Sequence, residues 1–290
     1  MNRRTFGPLA VALAMAGGVL WAAQQLPSEP NRQFGGGVTG AYEGWFDNPD
    51  GSHNFLVGYF SRNSAQPVDI PVGPNNRIEP GGPDMGQPTH FLTGRQHGMF
   101  IVTVPKEFSA KQQLTWTLVA NGQSNSIPLR LHPDYVLSPL TEATAHNTPP
   151  VLRFAQNGPP TQGPIAFVAK AATRTTSTSM PLALTVWAGD DGKYTTGTSA
   201  PLRNPPPPAV TLTWSKYRGP GSVTFDKARP DMEKLQSGEA AFNLKATTDV
   251  KFSQPGDYVL HVTANDYSGV GGGGFQCCWS TAMVKVSVTP

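Results

Sequence analysis

The chain has 290 residues, enough for two domains of ordinary size with separate hydrophobic cores. Hydrophobic residues make up 38% and charged residues only 14%, and there are 31 glycines and 29 prolines. This composition is typical of many short strands joined by turns. The formal net charge of +3 falls to about +1 if Arg3 and Arg4 are removed with an export signal, which excludes a charge-driven nucleic-acid or membrane partner.

Residues 1–30 are predicted to form a signal peptide. Arg3 and Arg4 supply a positive start, and an apolar run from Leu9 to Ala23 precedes a polar segment. The run is too short for a membrane span, and we expect no span in the mature chain. Arg3-Arg4-Thr5-Phe6 resembles a twin-arginine signal, but Gly7-Pro8 leaves the general secretory route equally open. We therefore expect a bacterial protein exported to the periplasm or beyond, with a retained N-terminal anchor as the alternative.

Residues 36–138 are predicted to form an N-terminal β-sandwich domain. Phe55 to Phe60 and Met99 to Val104 are apolar runs of the kind found in strands buried on both faces. Further on, an alternating strand leads into Asn121-Gly122, the favoured pair for a tight hairpin turn. The stretch from Pro67 to Gly94 is dense in proline, glycine and asparagine, and we expect it to be a long irregular loop with a role of its own.

Residues 139–150 are predicted to be a proline-rich linker, and residues 151–290 a second sandwich. Alternating apolar segments with turns between them indicate about seven strands, the number expected of an immunoglobulin-like sandwich. The clearest of these segments are Leu182–Val186, Val210–Trp214, Val223–Phe225, Val250–Phe252, Tyr258–Ala264 and Ala282–Val288. The alternation places His261 on the water-facing side of its strand. The predicted fold class is thus all-β, with two immunoglobulin-like β-sandwich domains in tandem.

Two segments of the C-terminal half resemble the polycystic-kidney-disease (PKD) domain, in the variant with a W-S-x-x-x-G-P-G-x-V-x-F strand. The first runs from Trp214 to Phe225, and the second from Phe252 through Pro255-Gly256-Asp257-Tyr258 to Asp266. The resemblance implies an extracellular immunoglobulin-like sandwich used for spacing, adhesion or ligand contact. It covers roughly the C-terminal half, and the chain departs from the pattern at 193–208 and 271–279. The whole chain also resembles exported bacterial proteins, which implies no particular activity.

No motif in the sequence indicates a catalytic, cofactor or metal site. Residues 269–274 match G-x-G-x-x-G, but a strand follows where a dinucleotide-binding fold needs a helix. The acidic turns 47–51 and 190–192 suit hairpin turns better than calcium loops, although calcium at a sandwich end is the most plausible metal. His90 and His97 are a weaker copper or zinc candidate. We therefore predict no catalytic residue, no cofactor and no metal.

The most unusual segment contains the only two cysteines, Cys277 and Cys278, between Phe275 and Trp279. Cysteines of an exported protein are expected to be paired. Adjacent residues of a regular strand point to opposite faces, so the pair is either two separate thiols or a disulfide ring in a bulge, and we favour the ring. Such a ring would hold Phe275 and Trp279 as an exposed aromatic surface. We predict that these four residues form the binding site, with a local stiffener of the hairpin as the alternative.

The predicted function is a non-catalytic extracytoplasmic binding, adhesion or accessory module whose unknown partner is a protein or a glycan. One alternative is an exported hydrolase acting on polysaccharide or peptidoglycan, because the carboxylate pair of such enzymes is recognised by its separation in space and not along the sequence. Another is an accessory subunit of an exported redox enzyme. Buried carboxylates converging in a cleft would favour the hydrolase, and an exposed aromatic platform would favour the binding module.

Overall fold

The computed structural model describes residues 30–143, 146–193, 208–236, 242–266, 268 and 277–290. Within these ranges the chain is almost entirely β, with two short 3-10 helices at Pro133–Tyr135 and Val168–Lys170. The described part contains no helix of the length and apolar character that crossing a membrane requires. Most of the predicted signal peptide lies outside the described residues.

The strands fall into an N-terminal and a C-terminal group. The N-terminal strands are β1 (Val38–Asp47), β2 (His53–Ser61), β3 (Val68–Asp69), β4 (Asn76–Glu79), β5 (His90–Phe91), β6 (Gly94–Val104), β7 (Leu114–Ala120) and β8 (Gln123–Leu129). The C-terminal strands are β9 (Val151–Arg153), β10 (Thr161–Gln162), β11 (Ala172–Ser177), β12 (Leu182–Gly189), β13 (Thr211–Arg218), β14 (Val223–Phe225), β15 (Glu233–Lys234), β16 (Leu244–Phe252), β17 (Gly256–Asn265) and β18 (Trp279–Thr289).

The N-terminal strands form two three-stranded sheets, in the orders β1-β2-β6 and β4-β7-β8, and β3 pairs with β5 separately. Phe55 and Tyr59 from the first sheet and Trp116 and Leu118 from the second belong to one buried cluster. The predicted hairpin is confirmed, since Asn121-Gly122 joins β7 to β8 with positive φ angles of 50° and 77°.

The prediction that residues 67–94 are an irregular loop is wrong, because β3, β4 and β5 lie within them. Asn76 holds this stretch together from a fully buried position. Its Nδ2 donates to the carbonyl oxygens of Ile70 and Pro88 at 2.9 and 2.7 Å, and its Oδ1 accepts from Nε1 of Trp116 at 3.0 Å. One amide side chain thereby supplies hydrogen bonds that a longer regular strand would otherwise make.

The C-terminal strands form an immunoglobulin-like sandwich. One sheet contains β9-β12-β16-β14 in that order and the other contains β13-β17-β18, which are the two sheets of the constant-type immunoglobulin fold. β10 extends the first sheet, and β11 extends the second by pairing parallel to β18. Trp214 and Tyr258 are core residues, 3% and 1% exposed. The Tyr258 hydroxyl donates to the carbonyl of Gln254 at 2.8 Å, as in the tyrosine corner of that fold.

The two halves share a buried interface, although no sheet formed by the described strands spans both. Tyr217 and His261 lie on the outer face of the sheet β11-β18-β17-β13, and they are 0% and 1% exposed. Tyr217 belongs to the same buried cluster as Tyr59 and Phe91 of the N-terminal half. The prediction that His261 faces water is therefore wrong. The alternation along its strand was read correctly, but the N-terminal half covers the face to which it points.

The stretch 67–94 also fastens the two halves together at β13. The Arg218 guanidinium donates to both carboxylate oxygens of Asp84, at 2.8 and 2.9 Å, and the Tyr217 hydroxyl donates to the carbonyl of Gly86 at 2.6 Å. The amide of Thr89 donates to the carbonyl of Tyr217 at 3.2 Å. The long stretch of the N-terminal half thus lies along the edge of the C-terminal sandwich.

The segment predicted as a linker, 139–150, is buried in part. Glu142 and Asn147 are 2% and 0% exposed, and the amide of Glu142 donates to the carbonyl of Asn147 at 2.8 Å. The segment fills space beside the C-terminal sandwich. The domain boundaries proposed from the sequence stay a prediction.

Candidate functional site

Two long connections of the immunoglobulin-like half begin and finish at the same end of the sandwich. β12 ends at Gly189 and β13 begins at Thr211, while β17 ends at Asn265 and β18 begins at Trp279. Thr211 pairs with Asn265, and Asn265 pairs with Trp279, so the three strand ends lie side by side. In immunoglobulin variable domains the corresponding connections carry the binding loops.

A disulfide bond closes a ring between the adjacent Cys277 and Cys278 just before β18, with their Cα atoms 3.2 Å apart. Of the two alternatives left open by the sequence, the structure has the ring. Both cysteines are buried, 4% and 0% exposed. The Sγ of Cys278 lies 3.3 Å from the carbonyl oxygen of Asn147. The ring therefore joins the start of β18 to the segment that precedes β9.

The same asparagine connects the ring to a group of carboxylates. Nδ2 of Asn147 donates to Oδ2 of Asp266 at 2.7 Å, and Oδ1 of Asp266 accepts from the amide of Ser268 at 2.7 Å. Asp191 accepts from the amide and the hydroxyl of Thr148 at 3.1 and 2.9 Å. We call Asn147, Asp190, Asp191, Asp266 and the disulfide the acidic end.

Two carboxyl groups of the acidic end, those of Asp190 and Asp266, have raised pKa values. Burial raises the pKa of Asp190 to about 7; the Gly192 amide works against this rise, while the Asp266 and Asp191 carboxylates add to it. Burial also raises the pKa of Asp266, against its hydrogen bonds from Asn147 and Ser268. Oδ1 of Asp190 is buried and has no hydrogen-bond partner among the described residues. Near neutral pH, Asp190 can therefore act as either donor or acceptor towards a polar ligand.

Trp279 does not form the exposed aromatic surface that the sequence suggested. Its side chain is 0% exposed and packs with Phe46, Leu56 and Ile101 of the N-terminal half. A methyl group built on Gly98 would lie 2.6 Å from the indole, so the glycine is what allows the close approach. The expected exposure of Trp279 is wrong, because the neighbouring half covers the strand end. Phe275 lies outside the described residues, and whether the segment binds a ligand stays a prediction.

Another buried carboxylate, that of Glu43, lies next to Gly98, the glycine that packs against Trp279. Its Oε1 accepts from Nη2 of Arg95 and from the amide of Gly98, both at 2.9 Å. Burial raises the pKa of Glu43, and the Arg95 and Gly98 contacts oppose that rise. Burial, and then the positive charge of Arg95, lowers the pKa of His97. His90 is not brought near His97 as a ligand pair; it is hydrogen-bonded to Asp69 at 2.7 Å.

The part of the chain that the structure describes contains no group of three histidine, cysteine, aspartate or glutamate side chains placed to hold a metal ion. Sequence reasoning singled out Asp190 and Asp191 as an acidic turn and missed Asn147 and Asp266. Asp266 follows the end of a predicted strand, which is a usable signal for a residue at a sandwich end. Asn147 lies in a proline-rich stretch and carries no such signal.

No protein-family model matches this chain, and no curated protein matches it. Solved structures similar to it include domains 4 and 5 of the S-layer protein SbsC, at 9% identity and a TM-score of 0.24, covering 61% of this chain and 65% of that chain. The D00-D0 domain of intimin is 11% identical, with a TM-score of 0.26 and coverage of 86% and 98%. The Yersinia pseudotuberculosis adhesin InvE is 12% identical, with a TM-score of 0.24 and coverage of 88% and 59%. This chain thus spans less than two thirds of the SbsC and InvE chains.

Proposed function

We propose that this protein is a non-catalytic, exported binding or adhesion module that contacts a protein or glycan ligand through its acidic end. One observation supports the proposal above all. The β12–β13 and β17–β18 connections start and finish at the same end of the sandwich, where the Cys277–Cys278 disulfide also lies and where Asp190 and Asp191 follow β12. Loops at the end of an immunoglobulin-like sandwich vary without disturbing the core, which suits them to recognition. A disulfide is the state expected in the periplasm or outside the cell.

We extend the proposal to the kind of sandwich. The Pro255-Gly256 turn and the buried Tyr258 occupy the places that they have in the PKD domain pattern, and Trp214 lies in the core strand of that pattern. These positions support a PKD-like module, for which spacing and adhesion are the usual roles.

The test is a screen of the full chain against a glycan array and against immobilised surface proteins, with two matched variants. Asp191→Asn, together with Asp190→Asn, removes two of the three carboxyl groups of the acidic end and keeps Asp266, which is hydrogen-bonded to Asn147. Asp249→Asn removes an exposed charge near the opposite end of the same sandwich, where Asp249 pairs with Ala183. We expect the double variant to lose binding at least about tenfold and the Asp249 variant to bind normally. Equal binding by all three proteins would place the ligand elsewhere and contradict the proposal.

One observation favours a second candidate, an exported polysaccharide hydrolase. A carboxyl with a pKa of about 7 beside two further carboxylates is the kind of environment that tunes a general acid. Release of reducing sugar from polysaccharide or peptidoglycan, lost in Asp190→Asn and kept in Asp249→Asn, would establish this candidate. Absence of release by the wild type across pH 5 to 8 would remove it.

A further inference from the structure

A groove of about 580 Å³ opens on the side of the immunoglobulin-like half. It lies between the β9-β10 hairpin and the start of β11, where the chain crosses from one sheet to the other. The apolar side chains that line it include Phe154, Ile165, Phe167, Ala282 and Met283. Volumes of this size accommodate several side chains of a ligand.

The groove runs beside an open sheet edge. β11 is the last strand of its sheet and pairs only with β18 among the described strands. A strand in that position presents amide and carbonyl groups that its own sheet leaves unpaired to any extended chain that approaches. Along β11, the carbonyls of Thr173 and Ser177 already accept hydrogen bonds, from Arg174 and from the amide of Met180, and the remaining outward groups are open within the described part of the chain. Along β11, Thr173 and Thr175 are exposed while Arg174 is half-buried at the groove.

The charged residues that line the groove have one sign. Among the described residues, Lys170 and Arg174 line it, and no aspartate or glutamate does. The Arg174 guanidinium donates to the carbonyl oxygens of Thr173 and Phe154, at 2.8 and 2.9 Å, and so spans from β11 to the end of β9. The Lys170 ammonium lies 5.1 Å from the ring centre of Phe167. Within the described residues neither cation forms an ion pair, although Lys170 also interacts electrostatically with the Asp50 carboxylate. The rim as a whole is therefore complementary to an anionic group.

We propose that this groove is a second binding site, which takes an extended peptide segment of a partner protein containing apolar side chains and an acidic one. The segment adds as a strand to the free edge of β11 through main-chain hydrogen bonds. Its apolar side chains enter the groove, and its carboxylate meets Arg174 and Lys170. The site is independent of the acidic end and goes beyond the proposed function.

The experiment measures fluorescence anisotropy of a labelled peptide of alternating valine and threonine in which one central valine is replaced by glutamate. A second peptide has lysine at that position. Both are titrated with the full chain and with its Arg174→Glu, Lys170→Glu and Lys251→Glu variants. Lys251 is an exposed residue of β16, so its reversal makes the same change of charge on a strand remote from β11.

We expect the glutamate peptide to bind at least about tenfold more tightly than the lysine peptide. Either reversal at the groove should weaken it by a similar factor, and Lys251→Glu should have no effect. The amides of β11 should exchange more slowly with solvent when the peptide is bound, whereas those of the acidic end should be unchanged. Lys170→Glu keeps the test decisive if Arg174→Glu fails to fold. No binding of the glutamate peptide, equal binding of both peptides, or insensitivity to both reversals would overturn the proposal.

Discussion

Both faces of the sheet β11-β18-β17-β13 carry buried residues, but for different reasons. The inner face carries Trp214, Tyr258 and Leu260, which pack against the other sheet of the same sandwich. The outer face carries Tyr217 and His261, which are buried because the N-terminal half lies on them. A polar residue in an outward position therefore need not meet water. The comparison shows that alternation along a strand reports which residues share a face and not what covers that face.

Substitutions of buried aromatic residues on the inner face should lower the free energy of unfolding most. Trp214→Ala and Tyr258→Ala each remove an aromatic ring from a closed core, and we expect a loss of about 3–5 kcal/mol in the free energy of unfolding. Trp187→Ala is the matched control, since Trp187 is only half-buried on the outer face of the other sheet, and it should cost less than half as much. Urea unfolding followed by fluorescence measures all three. An unchanged stability with lost ligand binding would mean that these residues serve recognition.

Lowering the pH should destabilise the protein through His261, which is buried on the outer face. Burial lowers the pKa of His261 to about 4, while the unfolded chain has the ordinary value near 6.5, so the unfolded state binds the proton more readily. The resulting loss in the free energy of unfolding is absent above about pH 6.5. It grows as the pH falls towards 4, where it reaches about 3 kcal/mol. We expect the stability of the wild type to fall over this window more than that of His261→Gln. Unfolding free energies at several pH values between 4 and 7 give the comparison.

The raised pKa of Glu43 acts in the opposite direction, because the folded state then binds the proton more readily. The His261→Gln variant isolates the imidazole, since Glu43 is present in both proteins. Identical pH profiles for the two proteins would mean that the N-terminal half does not keep His261 from water.

A smaller effect is expected where the halves touch at Gly98. Its φ is 48°, and a methyl group there would strike Trp279 at 2.6 Å, so Gly98→Ala should destabilise by about 1–3 kcal/mol beyond the backbone strain. Gly94 also has a positive φ, of 68°, but nothing lies within 4 Å of its added methyl group. Gly94→Ala therefore measures the strain alone. Equal melting temperatures for the two variants would contradict the close packing of Trp279.

The smallest effect is expected at the edge of the interface. Arg218→Ala removes the paired contact to Asp84, which is half-exposed, and should cost about 1 kcal/mol. The Arg218 hydrogen bonds lower the pKa of Asp84, against the effect of burial, so that pKa should rise in the variant. NMR titration of the carboxyl carbon reads this directly. Lys227→Ala, which breaks the fully exposed pair with Asp231, should leave stability unchanged.

The sequence was sufficient for whatever depends on neighbours along the chain. Period-two alternation located most of the long strands, and Asn121-Gly122 located a hairpin. It was insufficient where short strands lie among prolines, as β3, β4 and β5 do, because a strand of two to four residues shows no period.

Long-range contacts were harder still to predict. The acidic end joins Asn147, Asp190 and Asp266, which lie far apart along the chain, and no local pattern relates them. Trp279 was assigned to the surface since its cover belongs to the other half. The disulfide ring could be foreseen because adjacent cysteines in an oxidising compartment leave few alternatives.

We infer that the buried interface couples the two halves, so that they do not behave as two domains on a flexible linker. Differential scanning calorimetry of the intact chain tests this directly, with Trp116→Ala in the N-terminal core and Trp214→Ala in the C-terminal core. Coupling predicts one transition whose calorimetric and van't Hoff enthalpies agree, and which each variant shifts as a whole. Two separate transitions, each shifted by only one of the variants, would contradict it.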